Sequence, residues 1–249
     1  MQALVEFPIK RSYHDAPVLV AVFAHPDDET FSAGGVLAGH ALAGWSVKLV
    51  CATAGERATN GRGALSDHEF KTLRLHELTM AIEALGVDAL FLLDWGDGDI
   101  PQRNDQESVA ELLKIMKQTA PVVVITFGPD GISGHPDHVA LHRLTTEAFR
   151  QYARSAHPND ISPQLYYVTA SAAIPLCCKD RENTPASLPP TVRMDIQAGW
   201  ERKRAAMEAY VSQQHILQSL QNNPPGWQSR EELFHRAYPP VIEENKKNA

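Results

Sequence analysis

The chain has 249 residues, 43% of them apolar, and a formal net charge of −7. This length suffices for one large domain or two small ones with a substantial core. The acidic balance argues against nucleic acid or an anionic membrane surface as partner, and no apolar run approaches the ~20 residues that a membrane span needs.

Five short apolar runs, rich in β-branched residues, have the near-continuous hydrophobicity of strands that are covered on both faces. The predicted strands are Val18–Phe23, Val47–Ala52, Ala89–Leu93, Val122–Thr126 and Leu165–Thr169. Segments with helical spacing lie between them, over Phe31–Ala43, Asp67–Leu85, Gln106–Thr119 and His138–Ala153. The alternation predicts an α/β fold of the Rossmann-like, doubly wound type, with a mostly parallel sheet and helices on both faces.

The C-terminal part departs from this alternation. Residues 172–190 are rich in proline and polar residues and predict a long loop. A strand over Thr191–Asp195 and a helix from Trp200 to about Leu220 follow, and we expect the last residues to fray. We expect one domain over residues 1–249, with its core at about 17–170 and a C-terminal addition at about 190–249.

Three cysteines, Cys51, Cys177 and Cys178, fit neither a disulfide framework nor a zinc-ribbon spacing. No long apolar segment follows the basic pair near the N-terminus, which argues against a secretory signal. Both observations favour a reducing, cytoplasmic setting. The sequence leaves the oligomeric state open, and a homo-oligomer is one of the alternatives.

The stretch AHPDDE directly follows the first predicted strand and contains one histidine and three acids. Pro26 biases His25 towards an extended backbone, and the acids fall where the next helix should begin. Helix capping would explain one or two of these acids but not the histidine. Capping and metal binding therefore both stay open for this stretch alone. The absence of a G-x-G-x-x-G pattern disfavours a dinucleotide site.

The stretch GHPDH follows the fourth predicted strand and brings His135, Asp137 and His138 to a second strand-to-helix junction. A polar loop with helix caps is the alternative to a functional role. His142 lies four residues beyond His138 and could share its helical face. An ordinary histidine on the helix surface is the simpler interpretation of His142.

The predicted strand order places the two stretches next to each other. In the common order 3-2-1-4-5-6 the first and fourth strands are neighbours, and a crevice opens at their carboxyl ends. This order would bring His25, Asp28 and His138 together. Two histidines and one carboxylate form a catalytic zinc set with an open coordination position, and Fe²⁺ would accept the same ligands.

The remaining side chains of the two stretches suit acid–base chemistry. A catalytic zinc site needs a base for the proton of the attacking water, and Asp27 lies next to a ligand in sequence. His135 is then free to stabilise a developing oxyanion or to protonate a leaving amine. Asp137 could orient or tune one of the histidines.

AHPDDE and GHPDH, on this spacing and strand pattern, resemble the LmbE-like, or PIG-L, superfamily of zinc-dependent deacetylases, which includes N-acetylglucosaminyl deacetylases. The resemblance covers roughly residues 17–170, with a weaker match near the C-terminus. It implies zinc as cofactor and a role for each residue already singled out. These roles are metal ligation by His25, Asp28 and His138, general base for Asp27, and general acid or oxyanion stabiliser for His135.

Shorter matches to the same family imply substrate contacts. TAGE ends in Glu56, which the resemblance places at the site. RLHE begins with Arg74, which matches a substrate-binding arginine, although a surface charge is the alternative. GDG contains Asp97, which matches an acid that binds sugar hydroxyls, with an ordinary Asp-Gly turn as the alternative.

Two positions depart from the family pattern. Tyr210 stands in KRAAMEAYVSQQ where histidine is frequent, which puts a site role for this segment in doubt. Ser133 stands where some members carry an aromatic residue, so we do not expect a tyrosine-assisted oxyanion hole. The glycine-rich loop 55–67 is long enough to lie over the pocket, and Arg57 or Arg62 could contact substrate. A solvated surface loop is the alternative.

Together these features predict a zinc-dependent amide hydrolase that removes an N-acyl group, most simply N-acetyl, from an amino-sugar-type small molecule. One alternative is an amidase that acts on a larger thiol conjugate or a secondary-metabolite amide. Another is a catalytically idle sugar-binding relative, which the presence of Asp27 and His135 disfavours.

Overall fold

A computed structural model of the chain describes residues 16–58, 61–155, 162–169, 185–223 and 228–240. Its centre is one sheet, whose strands are β1 (Val18–Phe23), β2 (Ser46–Cys51), β3 (Ala89–Leu92), β4 (Val123–Phe127), β5 (Gln164–Val168), β6 (Val192–Asp195) and β7 (Glu231–Tyr238). They lie in the order β3-β2-β1-β4-β5-β7-β6, with β1 to β5 parallel and β7 antiparallel to both of its neighbours. The predicted α/β class and the adjacency of the first and fourth strands are confirmed.

The helices around this sheet are α1 (Asp28–Leu42), α2 (Asp67–Leu85), α3 (Asp105–Thr119), α4 (Pro136–Ser155), α5 (Trp200–Ala209) and α6 (Gln214–Gln221). The single helix predicted from Trp200 to about Leu220 is wrong, because the chain leaves helical geometry at Tyr210, with φ −82° and ψ 72°. A short 3₁₀ turn, Val211–Gln213, then leads into α6. Tyr210 is fully buried, and its packing overrides the helical pattern of the sequence.

The C-terminal segment packs closely on α1. A Cβ atom on Gly35 would lie 2.5 Å from the Cβ of Ile196, so only glycine permits this approach. In β7 the buried Glu232 accepts hydrogen bonds from the backbone N–H groups of Gly35 (2.8 Å) and Val36 (2.9 Å). Its carboxylate also pairs with Lys203 of α5 at 2.6 Å. These contacts fix α1, which begins at the predicted metal site.

Strand β7 is an element that the sequence did not predict, and it pairs with β6 through residues 231–234 and with β5 through residues 234–238. Its sequence, EELFHRAY, hides the strand because the buried position of Glu232 carries a charge. Cys177 and Cys178, most of the predicted loop 172–190, and residues 241–249 lie outside the described residues. Within the part of the chain that the structure describes, no helix is long and apolar enough to cross a membrane.

Candidate metal centre and active site

The two polar stretches meet in the crevice at the carboxyl ends of β1 and β4, as strand order predicts. His25 follows β1, and α1 begins at Asp28. His135 follows β4, and His138 lies in the first turn of α4. The side chains face a cavity of about 530 Å³, which Asp27 also lines. A volume of this size accommodates a small-molecule ligand.

Three potential ligand atoms form a compact triangle. Nδ1 of His25 lies 3.1 Å from Nε2 of His138, and Oδ2 of Asp28 lies 3.3 Å from each of these nitrogens. Ligand atoms bonded tetrahedrally to zinc at ~2.0–2.2 Å are separated by roughly 3.3 Å. The triangle therefore has the dimensions of a tetrahedral site with one open position.

Hydrogen bonds set the tautomer of each ligand histidine. Nδ1 of His138 donates to the carbonyl of Gly131 at 3.0 Å, and Nε2 of His25 donates to Oδ2 of Asp137 at 3.0 Å. When both rings are neutral, as metal ligands must be, two nitrogen lone pairs face each other across 3.1 Å, with a carboxylate oxygen beside both. A cation would relieve this repulsion, so the residues present fit a divalent metal ion. The ring of Phe127 stacks on His138 at 4.0 Å and fixes its plane.

Among the described residues, two other groups have potential ligand atoms within 4.8 Å of one another: His25 with His135 and His138, and His25 with Asp97 and Asp137. The first lacks a carboxylate. The second uses Nε2 of His25, whose contacts with Asp137 (3.0 Å) and Asp97 (3.2 Å) are ordinary hydrogen-bond distances. We favour the triangle of His25, Asp28 and His138, because among these three groups it alone combines two histidine nitrogen lone pairs with a carboxylate oxygen.

Asp27 adopts an unusual backbone conformation directly before α1. Its φ of 107° and ψ of −33° lie outside the regions that non-glycine residues prefer, and its side chain makes no capping hydrogen bond. The guanidinium of Arg74 donates to Oδ2 of Asp27 at 3.2 Å and to the carbonyl of Pro26. Burial raises the pKa of Asp27 to about 6, against the opposing charge of Arg74. Arg74 is only 2% exposed, so the alternative of a surface charge is wrong.

Two further side chains complete the support of Asp27. Oε2 of Glu29 accepts the backbone N–H of Asp27 at 3.1 Å, and the hydroxyl of Tyr210 donates to Oε1 of Glu29 at 2.6 Å. The guanidinium of Arg74 lies 5.9 Å from the centre of the Tyr210 ring. Burial raises the pKa of Glu29 to about 7, although hydrogen bonds from Thr30 and Tyr210 oppose the shift. We call Glu29, Arg74 and Tyr210 the Asp27 cradle.

His135 lies beside both ligand histidines, with ring centres 4.8 Å from His25 and 4.9 Å from His138. Its Nδ1 accepts the backbone N–H of Asp137 at 3.2 Å, so the proton of the neutral ring lies on Nε2. Burial, and then the charges of His138 and His25, lower the pKa of His135 to about 4. The carboxylate of Asp137 is directed at His25 rather than at His135.

The residues predicted to contact substrate occupy different positions. Asp97 is 7% exposed and lines the cavity, where its Oδ2 accepts the backbone N–H of Arg57 at 2.8 Å. Glu56 is not among the residues that line the cavity. Its Oε1 instead accepts the backbone N–H of Asp97 at 3.0 Å, so Glu56 supports Asp97 from behind.

The described part of loop 55–67 contacts other segments at Arg57 and at Gly61. Arg57 lines the cavity and forms a bidentate pair with Asp99, at 2.6 and 2.8 Å. Gly61 approaches the carbonyl of Ser212 so closely that an added Cβ would lie 1.7 Å from it. His142 is turned away from the triangle, because its Nδ1 bonds the carbonyl of Phe127 at 2.9 Å.

The chain is similar in sequence to proteins of a known family. The profile of a family described as GlcNAc-PI de-N-acetylase (PIG-L) matches residues 20–149. A protein from Thermobifida fusca is 31% identical over 242 residues, covering 78% of this chain and 82% of that protein. One from Mycobacterium sp. (strain KMS) is 37% identical over 158 residues, covering 53% of this chain and 50% of that protein. Both are named 1D-myo-inositol 2-acetamido-2-deoxy-alpha-D-glucopyranoside deacetylase, and the chain spans about half the length of the mycobacterial relative.

Solved structures share the fold. The N,N′-diacetylchitobiose deacetylase of Pyrococcus horikoshii superposes with a TM-score of 0.68 at 21% identity, covering 89% of this chain and 84% of that one. GalB of Pseudomonas putida, a 4-carboxy-2-hydroxymuconate hydratase, superposes with a TM-score of 0.71 at 24% identity, covering 91% and 98%. A deacetylase and a hydratase thus share this fold, so these two structures support the architecture and not an activity.

Proposed function

The chain belongs to the GlcNAc-PI de-N-acetylase (PIG-L) family, and from this premise we propose that it is a zinc-dependent deacetylase. Its substrate would be a small molecule that carries an N-acetylated amino sugar. The observation that carries the proposal is the ligand triangle of His25, Asp28 and His138, with the carboxylate of Asp27 beside it. The names of the relatives, which are deacetylases of a glucosamine-type sugar, support the same reaction.

His25, Asp28 and His138 would hold the metal ion, which when bound lowers the pKa of a water molecule and polarises the amide carbonyl. Asp27 accepts the proton of the attacking water and passes it to the nitrogen of the leaving amine. The hydrogen bond from the buried Arg74 holds the carboxylate in place for both transfers.

His135 supplies a hydrogen bond rather than a proton in this proposal. Because its Nδ1 is occupied by the N–H of Asp137, its Nε2–H is the group available to the amide oxygen as negative charge develops there. Asp137 positions His25 through the hydrogen bond to Nε2 and keeps Nδ1 free for the metal ion.

The sugar ring would bind beside the triangle. Asp97 and Arg57 line that part of the cavity with a carboxylate and a guanidinium, which suit sugar hydroxyl groups. Glu56 contributes indirectly, by holding the backbone of Asp97. A cytoplasmic location belongs to the same proposal, and a homo-oligomer remains a prediction.

A panel of N-acetylated amino sugars and their conjugates tests the proposal. Protein loaded with Zn²⁺, or with Fe²⁺ under anaerobic conditions, is incubated with each compound, and released acetate and free amine are measured. We expect equal amounts of both products, with zinc as the more active metal, and release at least about 100-fold slower by Asp27→Asn loaded with the same metal. Release of neither product from any compound by the loaded wild-type protein would refute the proposal.

A further inference from the structure

The cavity has an apolar wall in addition to its polar floor. Phe31, Ile132, Ile216 and Leu220 line it together with the residues of the metal centre. Phe31 lies three residues after Asp28, and side chains at this spacing share one face of a helix. Phe31 is half-buried, so α1 presents an aromatic ring to the cavity next to a metal ligand.

Helix α6 contributes the opposite part of the wall. Ile216 and Leu220 are four residues apart, lie on one face, and are both half-buried. Leu217 belongs to a different face and is 4% exposed in the core. Core packing therefore accounts for Leu217 and for part of Leu220, whereas Ile216 and the rest of Leu220 line the cavity.

Ile132, another residue of the wall, has an unusual backbone conformation. Its φ of 62° lies in the left-handed region, which is a genuine outlier for a β-branched residue. The loop around it is fixed, because the carbonyl of Gly131 accepts from His138 and the N–H of Ile132 is directed at Asp130. Glycine would remove the strain at this position. Ile132 is 5% exposed and packs in the hydrophobic core, and the part of its side chain that stays accessible lines the cavity.

We propose that the substrate carries an apolar group attached to its acylated amino sugar, and that Phe31, Ile132, Ile216 and Leu220 bind this group. The inference rests on the proposed deacetylase function and narrows its substrate class. Free N-acetylglucosamine would leave the wall in contact with water, whereas an alkyl or aryl group would bury it. The group could be attached through the anomeric oxygen, as an aglycone, or through the nitrogen, as a longer acyl chain.

Matched pairs of substrates test the wall and distinguish the two attachments. One pair is the methyl and hexyl β-glycosides of N-acetylglucosamine, and the other is the N-acetyl and N-hexanoyl forms of the methyl glycoside. We expect a kcat/KM at least about tenfold higher for the longer member of one pair, the size of effect that an extra methylene or more produces in an apolar pocket. That ratio should fall towards one in Ile216→Ser and in Leu220→Ser. Gln218→Ser, exposed on the same helix and outside the wall, should keep it.

Calorimetry separates this inference from the proposed function. Binding of hexyl and methyl β-D-glucosaminide, which are products and need no turnover, is measured with the same variants. If no compound releases acid, the proposed function fails. The inference about the wall is still supported if the hexyl glycoside binds at least about tenfold more tightly than the methyl glycoside and if the serine variants lose this difference. Equal binding of the two glucosaminides, together with equal kcat/KM within both substrate pairs or with no turnover at all, would overturn the inference. A chain-length preference that survives both serine substitutions would overturn it as well.

Discussion

Substitution of Tyr210 by phenylalanine tests whether the cradle controls the catalytic geometry of Asp27. The change removes one hydroxyl from a fully buried ring and leaves the ring beside Arg74 in place. It deletes the 2.6 Å hydrogen bond to Glu29, whose other oxygen holds the backbone N–H of Asp27. Neither Tyr210 nor Glu29 touches the ligand triangle directly, so the effect on turnover must pass through Asp27.

The expected magnitude follows from two opposing terms. A hydrogen bond to a charged group contributes about 1.5–3 kcal/mol, and a strained backbone such as that of Asp27 costs about 1–3 kcal/mol. The free energy lost with the Tyr210 hydroxyl is therefore comparable to the strain energy of the Asp27 backbone, which the cradle offsets. If about half of the lost energy reaches Asp27, roughly 1.1 kcal/mol, kcat should fall about sixfold.

The assay measures kcat for acetate release, metal content and Tm on the same preparations. Tyr167→Phe is the matched control, because Tyr167 is also buried and its hydroxyl bonds the neutral Thr146 at 2.8 Å, outside the cradle. We expect both variants to lose stability and keep metal, and only Tyr210→Phe to lose turnover. Equal kcat in Tyr210→Phe and wild type would refute the positioning role and leave Tyr210 a packing residue.

Further substitutions test the proposed ligand His138, the proposed base Asp27, its neighbour in the site Asp137, and the buried His40. His138→Ala should bind zinc at least about 100-fold more weakly, measured by competition with a chelator, and full metal content would remove His138 from the ligand set. Asp27→Asn should keep its metal but lose about 100-fold or more in kcat, and a loss of metal instead would make Asp27 a ligand. Asp137→Asn should weaken metal binding about 10–100-fold through His25, which unchanged affinity would contradict. Burial lowers the pKa of His40 below its ordinary 6.5, so the unfolded chain binds the proton more readily. This contribution to stability is complete above about pH 6.5 and is lost as the pH falls below it, by up to about 1.4 kcal/mol at pH 5.5. His40→Gln should flatten that part of the stability profile, and equal slopes for the two proteins would refute the assignment.

The metal centre could be predicted from the sequence because it depends on a local rule. Parallel strands bring their carboxyl ends to one edge, so polar residues after β1 and β4 had to meet once the strands were neighbours. Apolar spacing predicts helices from Phe31 and His138, whereas α1 begins at Asp28 and α4 at Pro136. The reason is that the prediction followed apolar spacing, while the first turns of both helices carry the polar site.

The cradle and β7 could not be predicted in the same way. Tyr210 meets Glu29 across 181 residues, and no local pattern encodes such a contact. Glu29 by itself looked like a helix cap, and Arg74 looked like a surface charge as readily as a substrate ligand. The buried charge of Glu232 concealed a strand, because its partners, Lys203 and the backbone of α1, come from elsewhere in the chain.

The attachment of Glu232 to α1 has a consequence for synthesis and folding. Asp28 begins α1 near the start of the chain, yet the N–H groups of Gly35 and Val36 in that helix bond a carboxylate in the last strand. During translation this bond, and the pairing of β5 with β7, form only after β7 has left the ribosome. Such long-range closure slows folding. A chain that stops before residue 231 should leave β5 with an open edge and Lys203 without its buried anion. The segment that matches the family profile, residues 20–149, therefore lacks the strand that fixes its own first helix.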